Sequence, residues 1–231
     1  MRSRYRHLAM SAFAVALALA MATPVLAAPR FTETALRNGS SPSASVATRG
    51  SGVRLLTAYY TQRDGSIYAD SNCGIAAIAM SMAAFGHVEP LLPLRESVNA
   101  LTGDWHPDSG LDWSSLIAAL QLRGFVADGP YAGGSYRSWT VEEMLAETRA
   151  GRPVIALTHQ RSLPGHADID YDGDHYVVFL GATDDGRVVY HDSALPGGEG
   201  AYRTTDRATF EYAWSHTWIG QNNTAMAVYQ P

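Results

Sequence analysis

His175-Tyr176-Val177-Val178-Phe179-Leu180-Gly181-Ala182-Thr183, then Asp184-Asp185-Gly186, then Arg187-Val188-Val189-Tyr190-His191 is the stretch that decides the fold. Two runs of β-branched and aromatic residues flank an Asp-Asp-Gly turn, which is the pattern of a β-hairpin. The spacing predicts strands over 175–183 and 187–191, joined by a two-residue turn at Asp185-Gly186. Such a turn pairs Asp192 with Phe179, four residues from His175. Upstream, Cys73 to Phe85 is apolar except for Gly74 and Ser81, and Gly86 follows where a C-cap belongs. A helix apolar on all sides is buried on all sides.

Further helices are predicted at 92–101, 114–123 and 140–150. The last opens with a capping box, Thr140 with Glu143, and stops at Gly151. Val154 to Thr158, after Pro153, reads as a short strand, as does Leu55 to Tyr60. Thr205 or Asp206 caps a helix that runs to about Trp214, and Ala225 to Tyr229 reads as a closing strand. Helices come first and antiparallel strands afterwards, so the class is α+β and not a doubly wound sheet. There are no internal repeats.

The 231 residues are 46% hydrophobic and only 17% charged, which excludes wholesale disorder, a collagen-like fibre and a coiled coil. Every basic residue apart from histidine is Arg, and 22 acidic residues outnumber the 17 basic ones. That balance argues against nucleic acid and anionic lipid as partners. Arg2, Arg4 and Arg6 precede an apolar run from Leu8 to about Ala22, and Thr23-Pro24-Val25-Leu26-Ala27-Ala28 ends in small residues. Residues 1–28 therefore read as a secretory signal peptide, and the expected location is secreted or extracytoplasmic. No other stretch is apolar enough to span a bilayer, so no membrane span is expected after cleavage. Residues 29–52, rich in Ser, Gly, Ala and Thr, read as a flexible leader. Folded sequence is expected over 53–231.

Cys73 is the one cysteine, so no intramolecular disulfide and no cysteine zinc cluster can form. It opens the buried helix, where free backbone N–H groups and the helix dipole favour a thiolate. The alternative is a small buried hydrophobe. An exported protein gives that alternative less room, because an idle thiol there is open to oxidants. A nucleophilic thiolate needs a base and a group to orient it. His175, at the mouth of a buried strand, is the candidate base. Asp192, at the end of the return strand, is brought near by the hairpin.

Thr61-Gln62-Arg63-Asp64, Ser71-Asn72-Cys73-Gly74-Ile75-Ala76-Ala77, Gly151-Arg152-Pro153-Val154-Ile155-Ala156-Leu157, His175-Tyr176-Val177-Val178 and His191-Asp192-Ser193-Ala194 together resemble the peptidase C-thirty-nine-like family. These are papain-like cysteine peptidases related to the domains that cut double-glycine bacteriocin leaders. The resemblance spans about residues 55 to 229. It implies a papain-like α+β fold and a peptide or protein substrate. It also implies Cys73 as nucleophile, His175 as base, Asp192 as its orienting partner and Gln62 as an oxyanion-hole donor, with no cofactor. Gly65-Ser66-Ile67-Tyr68, between Gln62 and Cys73, is expected to loop out. No nucleotide-binding P-loop accompanies the domain, so the bacteriocin-export role is not carried over.

The same residues leave open an amidase or acyl transferase, or a binding module that has kept the fold. Asp168-Ile169-Asp170-Tyr171-Asp172-Gly173-Asp174 matches the first half of a calcium loop, but its twelfth position is Phe179 and not Glu. It reads as a solvated acidic rim favouring a basic peptide. His159, His166 and His216 lack zinc-ligand spacing, so no metal is expected. The five tryptophans, Trp105, Trp113, Trp139, Trp214 and Trp218, read mostly as core or rim packing, with a subsite lining as the alternative for one or two. The substrate-binding residues and the oligomeric state are open.

Overall fold

The computed structural model describes residues 32–33 and 44–231, which fall in one compact unit spanning Phe31–Pro231. The signal peptide read over 1–28 lies outside the described residues. In chain order the elements are β1 (Thr32–Glu33), β2 (Val46–Arg49), β3 (Gly52–Leu55), α1 (Cys73–Ala83), α2 (Leu91–Thr102), α3 (Trp113–Gln121), β4 (Val126–Asp128), β5 (Tyr131–Ala132) and β6 (Ser135–Tyr136). There follow α4 (Val141–Arg149), β7 (Val154–His159), β8 (Asp174–Ala182), β9 (Val188–His191), β10 (Arg203–Thr205), α5 (Arg207–Ser215) and β11 (Ala225–Tyr229).

Nine of the described strands form one sheet, in the order β1-β2-β3-β8-β7-β11-β4, with β9 pairing β8 and β10 pairing β9. Every pairing is antiparallel. Strand residues alternate between two cores. Ile155, Leu157, Tyr176 and Val178 pack with α1, α2 and α3, while Val154, Ala156, Val177 and Phe179 pack with α4 and α5. Helices on both faces explain why β7 from Val154 to Leu157 and β8 from Tyr176 to Leu180 run without a charged residue. The mixed helix and antiparallel-sheet class is as expected.

α1 is buried from Gly74 to Met82 because its residues are apolar or small on every side. Each fully buried Ile or Met there contributes roughly 1.5–3 kcal/mol. α4 carries both halves of its capping box, and Asp206 caps α5 through Thr209 N–H at 2.8 Å. The stretch read as a flexible leader is partly structured: β1 and β2 lie in it, and Ala44, Val46 and Ala47 are buried. The strand expected over 55–60 instead lies at Gly52–Leu55, where β2 and the end of β8 supply its partners.

The expected two-residue hairpin turn is also corrected. Ala182 pairs with Val188, and Thr183 N–H donates to Arg187 O at 2.9 Å, so Asp184, Asp185 and Gly186 form a three-residue loop. Asp184 is drawn into the loop because its Oδ1 accepts from Gly52 N–H at 2.7 Å. A bulge between Phe179 and Gly181 then shifts the register again, so that Val178 faces His191. Gly181 has φ +135°, and a Cβ there would lie 2.0 Å from Val53 O. Only glycine allows β3 and the bulge to meet at this point. Together the loop and the bulge set Asp192 beside Val177 and not Phe179. That position is two residues from His175, on the same face of the sheet.

Candidate active site

Cys73 is the first residue of α1 and is half-buried. It lines a cleft of about 400 Å³ together with Gln62, Gln160, His175, Tyr176 and Trp218. His175, the second residue of β8, is buried, and its carbonyl accepts from Thr158 Oγ1 on β7 at 3.0 Å. Its Nε2 lies 2.9 Å from Asp192 Oδ1, which leaves Nδ1 free to act on the Cys73 thiol in the same cleft. Asp192 is fully buried just past β9. Tyr59 Oη donates to its carbonyl at 2.9 Å, and its own N–H donates to Gly200 O at 2.9 Å.

The electrostatics follow from these contacts. Burial pushes the Cys73 thiol up. The hydrogen bond and charge of His175, with the N–H groups of Tyr176 and Gly74, outweigh it and leave the thiol below its ordinary value. Burial also works against the His175 imidazolium, but the charge and hydrogen bond of Asp192, then those of Cys73, push it up to about 10. Asp192 resists burial through the charge of His175 and the hydrogen bonds of His166 and His175. Its carboxyl is held well below the usual carboxylate range. All three directions favour a thiolate, an imidazolium and a carboxylate together.

Gln62 is buried and lines the same cleft. Its Nε2 donates to Ala69 O at 3.1 Å and Asp70 O at 3.3 Å, and its Oε1 accepts from Ser193 Oγ at 3.0 Å. The side chain thus ties the segment before Cys73 to the segment after Asp192. Of the Gly65-Ser66-Ile67-Tyr68 insert, Ile67 is exposed, whereas Tyr68 turns inward and is buried against Arg95, and Asp64 Oδ1 accepts from Ser66 N–H at 3.0 Å.

Two members of the site were not legible in the sequence. His166 is buried, with Nε2 2.7 Å from Asp192 Oδ2, and Gln160 Nε2 approaches its Nδ1 at 3.3 Å. That places the proton on Nε2, so two imidazoles donate to one carboxylate. Asp192 Oδ1 also accepts from Ala194 N–H at 3.1 Å. Arg95, on α2, is buried beneath the segment that leads into α1. The only sequence hint was that Arg95 and Asn99 stand four apart on an amphipathic helix. Nothing marked His166.

The acidic rim divides its carboxylates among different partners. Asp172 Oδ1 lies 2.9 Å from His159 Nε2, and Asp174 accepts from the N–H groups of Trp218 and Ile219 at 2.7 and 3.0 Å. Among the described residues, no group of three His, Cys, Asp or Glu side chains converges to hold a metal. Trp113, Trp139 and Trp214 are buried, whereas Trp105 and Trp218 are exposed, Trp218 at the cleft.

A thiol and an imidazole lining one cleft, with a buried carboxylate bonded to the imidazole, make a site suited to thiol-dependent acyl chemistry. The chain belongs to the Peptidase_C39 like family, whose model matches residues 55–220. Membership implies a peptide or protein substrate. Among solved structures, a Bacillus anthracis protein assigned as a C39-like peptidase is 17% identical with a TM-score of 0.48, over 75% of this chain and 94% of that one. UfSP from C. elegans is 14% identical with a TM-score of 0.35, over 86% of this chain and 36% of that one. No curated protein sequence matches. Among the described residues, no helix is long and apolar enough to cross a membrane.

Proposed function

We propose that this protein is an exported, papain-like cysteine peptidase that hydrolyses peptide bonds through Cys73, His175 and Asp192. The observation that carries the reading is that Cys73 and His175 line one cleft while His175 Nε2 lies 2.9 Å from the buried Asp192 Oδ1. The Cys73 thiolate attacks the amide carbonyl. The Cys73 backbone N–H, at the uncapped start of α1, stabilises the oxyanion. Gln62 joins it by exchanging its longer bond, to Asp70 O, for the substrate oxygen. His175 Nδ1 protonates the leaving amine, and water then cleaves the thioester with His175 as base. Asp192 fixes the imidazole tautomer throughout. Export is supported by the Arg-rich start, the apolar run and the small residues at 27–28.

The test combines a tagged peptide library with alkylation by iodoacetamide. Wild-type protein is expected to generate new peptide N-termini and to alkylate rapidly well below pH 8. Cys73→Ala is expected to abolish turnover and leave the fold intact, since Ala suits a helix start. Turnover that survives Cys73→Ala overturns the mechanism. Product whose acyl half is joined to another nucleophile, in place of a new free carboxylate, redirects it to acyl transfer.

A further inference from the structure

Beneath the start of α1 lies a guanidinium to which, among the described residues, no carboxylate is bonded. Arg95 is 0% exposed. Its Nε donates to Asn99 Oδ1 at 2.7 Å and its Nη2 to Ser109 O at 2.8 Å. Its Nη1 donates to Ser71 Oγ and Asn72 Oδ1, both at 3.2 Å, and to Ser71 O at 3.4 Å. The Tyr68 ring lies 4.6 Å from its Cζ. Every one of these partners is neutral. No ion pair to Arg95 forms among the described residues, and the exposed Asp104 acts on it only through space. A buried charge without a counter-charge is costly.

The choice of acceptors sharpens the point. Asn72 and Asn99 each accept through Oδ1, and each leaves Nδ2 buried without a partner among the described residues. Aspartate at either position would present the same oxygen, remove the orphan N–H₂ and neutralise the guanidinium. Stability alone therefore favours a carboxylate where the chain has an amide. The groups that Arg95 grips belong to the two residues before Cys73, and its charge acts on Cys73 itself. α1 has no side-chain cap and no acid in its first turn, so the helix terminus and the guanidinium contribute potential of the same sign.

We propose that Arg95 is a positioning residue for the Cys73 nucleophile, whose unneutralised charge, held by neutral amides, keeps the start of α1 electropositive for the thiolate and the oxyanion. This rests on the reading of Cys73 as the nucleophile. Other groups interacting with Cys73 are His175 and Tyr176 on β8 and Tyr171 from the preceding loop. None of them is altered in the test.

The experiment measures Cys73 alkylation by iodoacetamide against pH, with melting temperature, in the wild type, Asn99→Asp and Arg95→Lys. Asn99→Asp keeps the contact and pairs the charge. It is expected to melt no lower than wild type, yet to raise the alkylation midpoint by about one pH unit and slow the reaction at pH 6 by up to about tenfold. Arg95→Lys keeps the charge and loses the fork. It is expected to melt lower, with its midpoint close to wild type. A merely structural Arg95 gives the reverse pattern. A folded Asn99→Asp protein with an unchanged profile, or an Arg95→Lys midpoint shifted as far as that of Asn99→Asp, overturns the proposal and leaves the role of Cys73 standing. If Asn99→Asp does not fold, Asn72→Asp applies the same criterion at the second amide. A wild-type midpoint already near ~8.5 overturns the nucleophile reading itself.

Discussion

Two buried histidines on neighbouring strands of one sheet behave in opposite ways. His175 on β8 is pushed up to about 10, while His191 on β9 is lowered to about 4. Burial opposes the charged form of both. The difference lies in what each ring meets. His175 meets the Asp192 carboxylate and the Cys73 thiol. His191 sits between the Tyr59 and Tyr202 rings, its Nδ1 accepts from Tyr202 N–H at 2.9 Å, and Arg54 repels a proton on it. His191 and Asp192 are adjacent in sequence, yet only the Asp192 side chain bonds to His175. Burial by itself neutralises a histidine. A buried carboxylate beside it reverses the sign and makes it fit to hold a thiolate.

The largest effect is expected from removing that carboxylate. Asp192→Asn puts one oxygen and one N–H₂ where two imidazole N–H groups now donate, so only His175 or His166 can be satisfied. His175 then approaches the condition of His191, and kcat is expected to fall by about 10²–10⁴-fold, as for other triads deprived of the charge. The Cys73 alkylation midpoint should rise with it. A variant that keeps wild-type kcat breaks the comparison outright.

Gln62→Ala comes next. With one oxyanion donor removed, kcat is expected to drop by about 10²-fold or more, with KM little changed. A lower melting temperature with unaltered kcat would instead make Gln62 only a tie between the two segments that carry Cys73 and Asp192. A smaller effect is expected from His166→Ala, which removes one of three donors to Asp192 but leaves the His175 contact in place. About a tenfold loss of kcat is expected, close to the lower end of the range for a lost hydrogen bond to a charged group. The pH dependence of alkylation should remain close to wild type.

His191 should leave turnover untouched and appear only in stability. Its folded value lies below the unfolded value of 6.5, so the unfolded chain binds more protons between about pH 6.5 and 4. Stability is therefore lost as pH falls through that window, by up to about 3 kcal/mol, and levels off below it. His191→Asn, which keeps an acceptor for Tyr202 N–H, is expected to flatten the loss in denaturant melts at pH 4 to 7. His175 has the opposite sign: its contribution is complete below about 6.5 and disappears as pH rises through about 10. An unchanged acid slope in His191→Asn would remove one side of the contrast.

Local chemistry alone determined much of this molecule. An apolar run from Cys73 can only be a buried helix, Thr140 with Glu143 forms the capping box of α4 within four residues, and two β-rich runs around Asp-Asp-Gly can only turn back on each other. These features depend on neighbours in sequence, and Cys73, His175 and Asp192 were legible for that reason. The tertiary structure decided the rest. The hairpin register depends on Gly52 N–H drawing Asp184 into the loop and on β3 pressing against Gly181, from more than a hundred residues away. β1 and β2 form from a polar stretch because a sheet edge is there to pair with them. His166 and Arg95 join the site through partners 26 and 23 positions distant, across loops whose paths no periodicity encodes. Periodicity and capping are short-range and can be read from a string. Hydrogen bonds between segments brought together by collapse exist only once the chain has packed, and at this site those bonds set the charge of each group.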